Sequence, residues 1–159
     1  MRYRVWRRAA GLLAPLLLLA LGGCAGAGRA DPVTVRIGVA LYQQDDTFIS
    51  TVAQHLEQMA KEEEQARGIK LNLNMADGRG SQAAQNEQVD RFLAQGYDVI
   101  CVNIVDRTAA AVIIDKAQAA GVPVIFFNRE PVEEDLMRWE GAYYVGLDGA
   151  QSGLLQLSL

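Results

Sequence analysis

The feature that most constrains this chain is a repeat of two periodicities: short apolar runs alternate with longer amphipathic stretches from residue 33 to residue 146. An apolar run at 33–41 leads into a helical pattern with Phe48, Ile49, Val52, Leu56 and Met59 on one face, ending near Gly68. A run at 69–75 is followed by a helix over 81–95, with Val89, Phe92 and Leu93 as its stripe and Gly96 suited to the position just past its end. A third run at 98–104 precedes a helix that Thr108 can cap and that closes at Gly121 and Pro123. A fourth at 122–128 and a fifth at 143–146 complete the series.

Strands that alternate with helices can be joined only by crossovers. The expected class is therefore α/β, a doubly wound parallel sheet with helices on both faces. Residues 99–102 and 124–127 are continuously apolar, as strands buried on both sides require, whereas 69–75 alternates apolar with polar. The second strand is expected at an edge. In such sheets ligands bind beyond the C-terminal ends of the strands. That rule singles out the stretches 42–48, 77–80, 103–106 and 128–130.

The first 23 residues stand apart. Arg2, Arg4, Arg7 and Arg8 precede an apolar run over 9–21, the pattern of an export signal, and the run is shorter than the roughly 20 apolar residues a span requires. Its end, Leu21-Gly22-Gly23-Cys24, resembles the lipobox of bacterial lipoproteins, which makes Cys24 the expected lipidated first residue of the mature chain. Residues 24–32 are small and flexible, like a tether. Removing the signal leaves 11 basic against 19 acidic residues, a formal charge of −8, which excludes nucleic acid as an expected partner. Cys101 lies inside an apolar run, so no disulfide framework follows.

Several constellations fail on inspection. Gly78-Arg79-Gly80 through Ala83 fits a dinucleotide fingerprint with Asp98 about twenty residues on, but it follows the alternating edge strand rather than a central one. Asp45, Asp46 and Asp106 bear a shallow likeness to the acidic pocket of phosphoacceptor receiver domains. Those are cytoplasmic, and here Asn103 stands where an acid would end the strand. His55 is the single histidine and falls on the flank of the first helix, so neither a catalytic triad nor a zinc cluster can be assembled.

What remains at the strand ends is Tyr42, Asp46 and Phe48 on one side and Asn128 on another. This set suits a sugar. A carboxylate accepts from paired hydroxyls, an amide both donates and accepts, and an aromatic ring stacks on the C–H face of a pyranose.

Four blocks in order, at 37–48, 103–106, 124–131 and 142–146, resemble the galactose/glucose-binding proteins of bacterial ABC importers, type I periplasmic binding proteins. The resemblance implies a two-lobed clamp that closes on a hexose without covalent chemistry, and hence no enzyme. Asp46 and Asn128 would bond the hydroxyls, Phe48 would stack on the ring, and Tyr42 would lie beside them. The partners it implies are the hexose, a membrane permease, and a chemoreceptor as a further reader of the closed clamp. It places the protein in the periplasm or on the outer face of the membrane. Arg129 stands where the family often has lysine.

On this reading residues 33–131 form the N-terminal lobe and 132–159 open a truncated C-terminal lobe, most of it missing. The family's calcium loop would lie in that missing lobe, so no cofactor is expected in this chain. Half a clamp is expected to bind sugar weakly or not at all. Ribose or another small sugar is the near alternative. A sugar-sensing regulator is the remoter one, since such proteins begin with a helix-turn-helix where this chain has an export signal.

Overall fold

The structure, a computed structural model, describes residues 32–146. The export signal, the tether with Cys24, and the stretch 147–159 lie outside the described residues. In chain order the elements are β1 (Thr34–Leu41), α1 (Thr47–Arg67), β2 (Lys70–Asp77), α2 (Gln82–Ala94), β3 (Val99–Val102), a 3-10 turn (Arg107–Ala109), α3 (Ala110–Ala120), β4 (Val124–Phe127), α4 (Glu133–Leu136) and β5 (Ala142–Val145). The five strands form one sheet in the order β2-β1-β3-β4-β5, and every pair is parallel. The edge position of β2 matches its alternating sequence. Winding reverses between β1 and β3, which makes the C-terminal ends of those strands the natural crevice.

Side-chain alternation sorts the core into two clusters, one per face. Ala40, Ile100, Val102, Val124 and Phe126 pack with Val89 and Phe92 of α2 and with Ile113, Ile114 and Ala117 of α3. Val39 and Leu41 pack with Ile49 and Ala53 of α1 on the other face. Among the described residues, α2 and α3 cover the first face. On the second, α1 sits over β1 and β2, and β5 keeps Tyr143 52% and Val145 63% exposed.

The first helix is rotated from the expected stripe. Its buried residues are Ile49 and Ala53, with Leu56 and Ala60 half-buried, while Phe48 and Met59 are each 60% exposed. The face 49, 53, 56, 60 keeps an ideal helical spacing, but two of its members are alanines, which carry little apolar signal. The start of the third helix also differs. Asp106, not Thr108, supplies the cap, accepting from the Thr108 N–H at 2.9 Å and its hydroxyl at 2.7 Å, and α3 proper begins only after the 3-10 turn.

The sheet and its core extend past residue 131. Leu136, Trp139, Ala142 and Tyr144 pack against the first core, and β5 pairs with β4 from Val124↔Ala142 to Phe127↔Val145. Residues 132–146 therefore continue the same sheet and the same core.

At Gly38 the ring of Phe92 on α2 lies directly against the sheet: a Cβ there would lie 2.6 Å from it. Gly38→Ala is expected to cost about 1–3 kcal/mol in urea unfolding, because the ring must leave its rotamer or the helix must retreat. An unchanged midpoint would mean that the Phe92 ring is not seated against Gly38.

Candidate functional site

The first strand delivers Tyr42 directly to the sheet's crest, and the loop after it ends at Asp46, which caps α1. One Asp46 oxygen accepts from the Ile49 N–H at 3.0 Å, and the other accepts from the Tyr42 hydroxyl at 2.6 Å. Each oxygen keeps a lone pair for an outside donor. The Tyr42 hydroxyl, followed by the Ile49 N–H, holds the Asp46 carboxyl below its ordinary range. The same bond raises Tyr42, since ionising the phenol would set two anions together. Phe48 lies in the first turn of α1 with its ring exposed.

The fourth strand delivers Asn128, which is exposed and adopts φ 63°. Asparagine is among the few residues that tolerate this region. Its N–H donates to Val145 O at 3.2 Å, and the Tyr144 hydroxyl donates to its carbonyl at 3.3 Å, so β5 fixes the turn. Arg129 then reaches across the crest, donating to Ile104 O at 3.1 Å and Val105 O at 2.8 Å, with its guanidinium 5.0 Å from the centre of the Tyr42 ring.

The structure thus joins Tyr42 to Asp46 directly, and joins the end of β4 to Tyr42 through Arg129. Phe48 belongs by its place two residues beyond the cap, and Asn128 by its place before Arg129.

Sequence reasoning missed the scaffold behind these groups. Gln82, Gln85 and Gln88 recur every third residue on α2 and bond backbone at the strand ends. Gln85 donates to Ala40 O at 3.2 Å and Asn103 O at 2.8 Å and accepts from Val105 N at 3.0 Å. Gln82 accepts from Asp106 N at 2.7 Å, and Gln88 donates to Asp77 O at 2.6 Å. The available signal was position: Gln85 continues the stripe of Val89 and Phe92 toward the helix start, where a polar residue must find partners.

The glycine turn after β2 serves the same loop. Gly78 N donates to Leu41 O at 2.8 Å and Gly80 N to Tyr42 O at 2.7 Å. The amides that a pyrophosphate would need are engaged, which agrees with rejecting a dinucleotide site. Burial pushes the Cys101 thiol up to about 11, so it stays protonated and unreactive at neutral pH. His55 is exposed, its Nδ1 2.9 Å from Thr51 O. Among the described residues no group of three or more His, Cys, Asp or Glu side chains is placed to hold a metal ion, and no helix is long and apolar enough to cross a membrane.

A parallel sheet of order 2-1-3-4-5 with polar and aromatic groups at its crest defines a doubly wound α/β lobe. Known proteins place it more narrowly. The periplasmic binding protein domain matches residues 37–159, and the chain belongs to that family. The D-galactose/methyl-galactoside binding periplasmic protein MglB of Haemophilus influenzae is 41% identical over 138 residues, 87% of this chain and 39% of that protein. Among solved structures, an ABC transporter solute binding protein from Bacillus halodurans with bound myo-inositol aligns with TM-score 0.59 and 31% identity over 81% of this chain and 42% of that one. A carbohydrate transporter solute binding protein from Chloroflexus aurantiacus, in complex with D-glucose, aligns with TM-score 0.55 and 28% identity over 79% and 35%. The chain therefore spans about two fifths of the length of its relatives, 39% for the Haemophilus protein.

Proposed function

We propose that this chain is the first lobe of a solute-binding protein for D-galactose or D-glucose, serving an ABC importer, with a chemoreceptor as a further partner. The observation that carries the reading is the Tyr42–Asp46 pair at the strand crest, with Phe48 exposed two residues beyond the cap. Asp46 and Asn128 are the hydroxyl partners, Phe48 the stacking ring, and Tyr42 the group that fixes the carboxylate. No bond is made or broken. One lobe leaves half of the ring in water, so the chain by itself binds with a Kd of about millimolar or weaker.

Saturation-transfer NMR with galactose, glucose and ribose tests the ligand class. The expected result is transfer to both hexoses and less to ribose. A preference for ribose overturns the hexose assignment in favour of a pentose, the second reading that the family's varied ligands keep in view.

The pair also sets a pH dependence. Asp46 ionises below its ordinary 3.8 and Tyr42 above its ordinary 10.0, so the ionised acceptor and the protonated donor coexist across the neutral range. Hexose affinity is expected to be flat from about pH 5 to 9 and to fall only as acid protonates Asp46 or base strips Tyr42. A drop within the neutral range would contradict this role for the pair.

We further infer export to the periplasm or the outer face of the membrane, with Cys24 carrying the lipid and residues 25–32 as tether. Cys24→Ser is expected to move the protein from the membrane fraction to the soluble fraction. Retention on the membrane would refute the anchor.

A further inference from the structure

We propose that Arg129 is a positioning residue for this site, clamping three strand ends so that Tyr42 is held in its bond to Asp46. The proposal rests on the hexose reading of the crest and adds to it a residue that the hydroxyl-binding set does not include.

Three ties meet at this one guanidinium. It is fixed to β4 by sequence, since it follows Asn128, whose φ of 63° turns the chain off the strand. It is fixed to the chain leaving β3 by its bonds to Ile104 O and Val105 O at 3.1 and 2.8 Å. It reaches β1 through the Tyr42 ring, 5.0 Å from centre to guanidinium carbon, within the roughly 6 Å over which a cation is drawn to an aromatic face. The anchor is itself held, because the Val105 N–H is bonded to Gln85 from the other side at 3.0 Å.

Tyr42 has few alternatives under this arrangement. Its ring is held against a planar cation and its hydroxyl lies 2.6 Å from Asp46, so neither the ring nor the carboxylate can swing without breaking a bond. A preformed carboxylate loses less entropy when a sugar hydroxyl arrives. Both carbonyls are met by Nη1 alone, which a lysine ammonium can imitate, but lysine lacks the flat face that lies against the Tyr42 ring, so Arg and Lys are not equivalent here.

The test uses the full chain with 13C-labelled tyrosine, and Tyr42→Phe identifies the Tyr42 signal among the five tyrosines. The Arg129 charge lowers the Tyr42 ionisation midpoint against the larger upward pull of Asp46. In Arg129→Gln the midpoint is expected to rise while those of the other tyrosines stay in place, and hexose binding is expected to weaken several-fold. Arg129→Lys should keep the midpoint near wild type yet shift the Tyr42 Cζ resonance and weaken binding. A folded Arg129→Gln protein with unchanged Tyr42 midpoint and Cζ resonance overturns the clamp. Should the glutamine variant not fold, the lysine variant decides: a wild-type Cζ resonance there overturns it equally. If the Tyr42 signals move as expected but the wild-type chain takes no hexose, the clamp stands and the sugar reading fails.

Discussion

Asp46→Asn weakens hexose binding by on the order of tenfold to a hundredfold and leaves the thermal midpoint close to wild type. The two halves of this result have separate causes. A hydrogen bond to an ionised acceptor is stronger than one to a neutral amide, so removing the charge costs affinity. Asparagine caps helices about as well as aspartate, so the bond from Ile49 N survives in kind. Asp46→Ala, by contrast, removes the cap and the Tyr42 partner together and lowers both affinity and stability. NMR-monitored titration with thermal melts on the three proteins separates the roles. If Asp46→Asn binds hexose as wild type does, Asp46 is only a helix cap.

Gln85→Leu is the most damaging single change expected in the scaffold. The side chain is fully buried and satisfies two carbonyls and one amide, at Ala40, Asn103 and Val105. Leucine is similar in size and satisfies none of them. Ala40 O keeps the Asn103 N–H at 2.9 Å, so two groups, Asn103 O and Val105 N, are orphaned. At about 1–3 kcal/mol each, a total on the order of 2–6 kcal/mol is expected, a large share of the roughly 5–15 kcal/mol that holds a typical domain together. Urea unfolding reads this directly. Gln85→Glu adds a sign test. A carboxylate facing two carbonyl oxygens must take up a proton, so its pKa in the folded state rises above the unfolded value of about 4.3. Its penalty is therefore absent at low pH and grows as pH climbs from about 4 through the raised folded value. A Gln85→Leu protein within about 1 kcal/mol of wild type would show that the network is replaceable by water.

Much of this fold was legible in the sequence because parallel sheets announce themselves. Continuous apolar runs marked β3 and β4 as interior, alternation marked β2 as an edge, and both positions agree with the strand order. The errors share a physical origin in small or polar residues at buried positions. Ala53 and Ala60 turn α1 by about one residue from the stripe that larger side chains suggest, and that turn frees Phe48 from the core. Asp106 rather than Thr108 begins the third helix because an aspartate two residues earlier can take both the N–H and the hydroxyl of Thr108.

The crest was legible as a set of residues but not as an arrangement. The topological rule pointed to the stretches carrying Tyr42, Asp46, Phe48 and Asn128, and residue chemistry pointed to hydroxyl binding. The Tyr42–Asp46 bond is local, four residues apart, but the tie from β5 that holds the left-handed turn at Asn128 and the bridge made by Arg129 depend on which strands become neighbours, which no local pattern specifies. The glutamines of α2 are similar: their three-residue spacing is visible, but their partners lie on three different strands or the loops after them.

The central claim is that a hexose is held at the crest formed by the ends of β1 and β4. Amide-proton shift mapping of the chain during titration with millimolar galactose, and then glucose, tests it most directly. The account predicts dispersed peaks with saturable shifts confined to the neighbourhood of Asp46, Phe48 and Asn128. Dispersed peaks that ignore both hexoses, or that shift instead along the far face of α1, would contradict it.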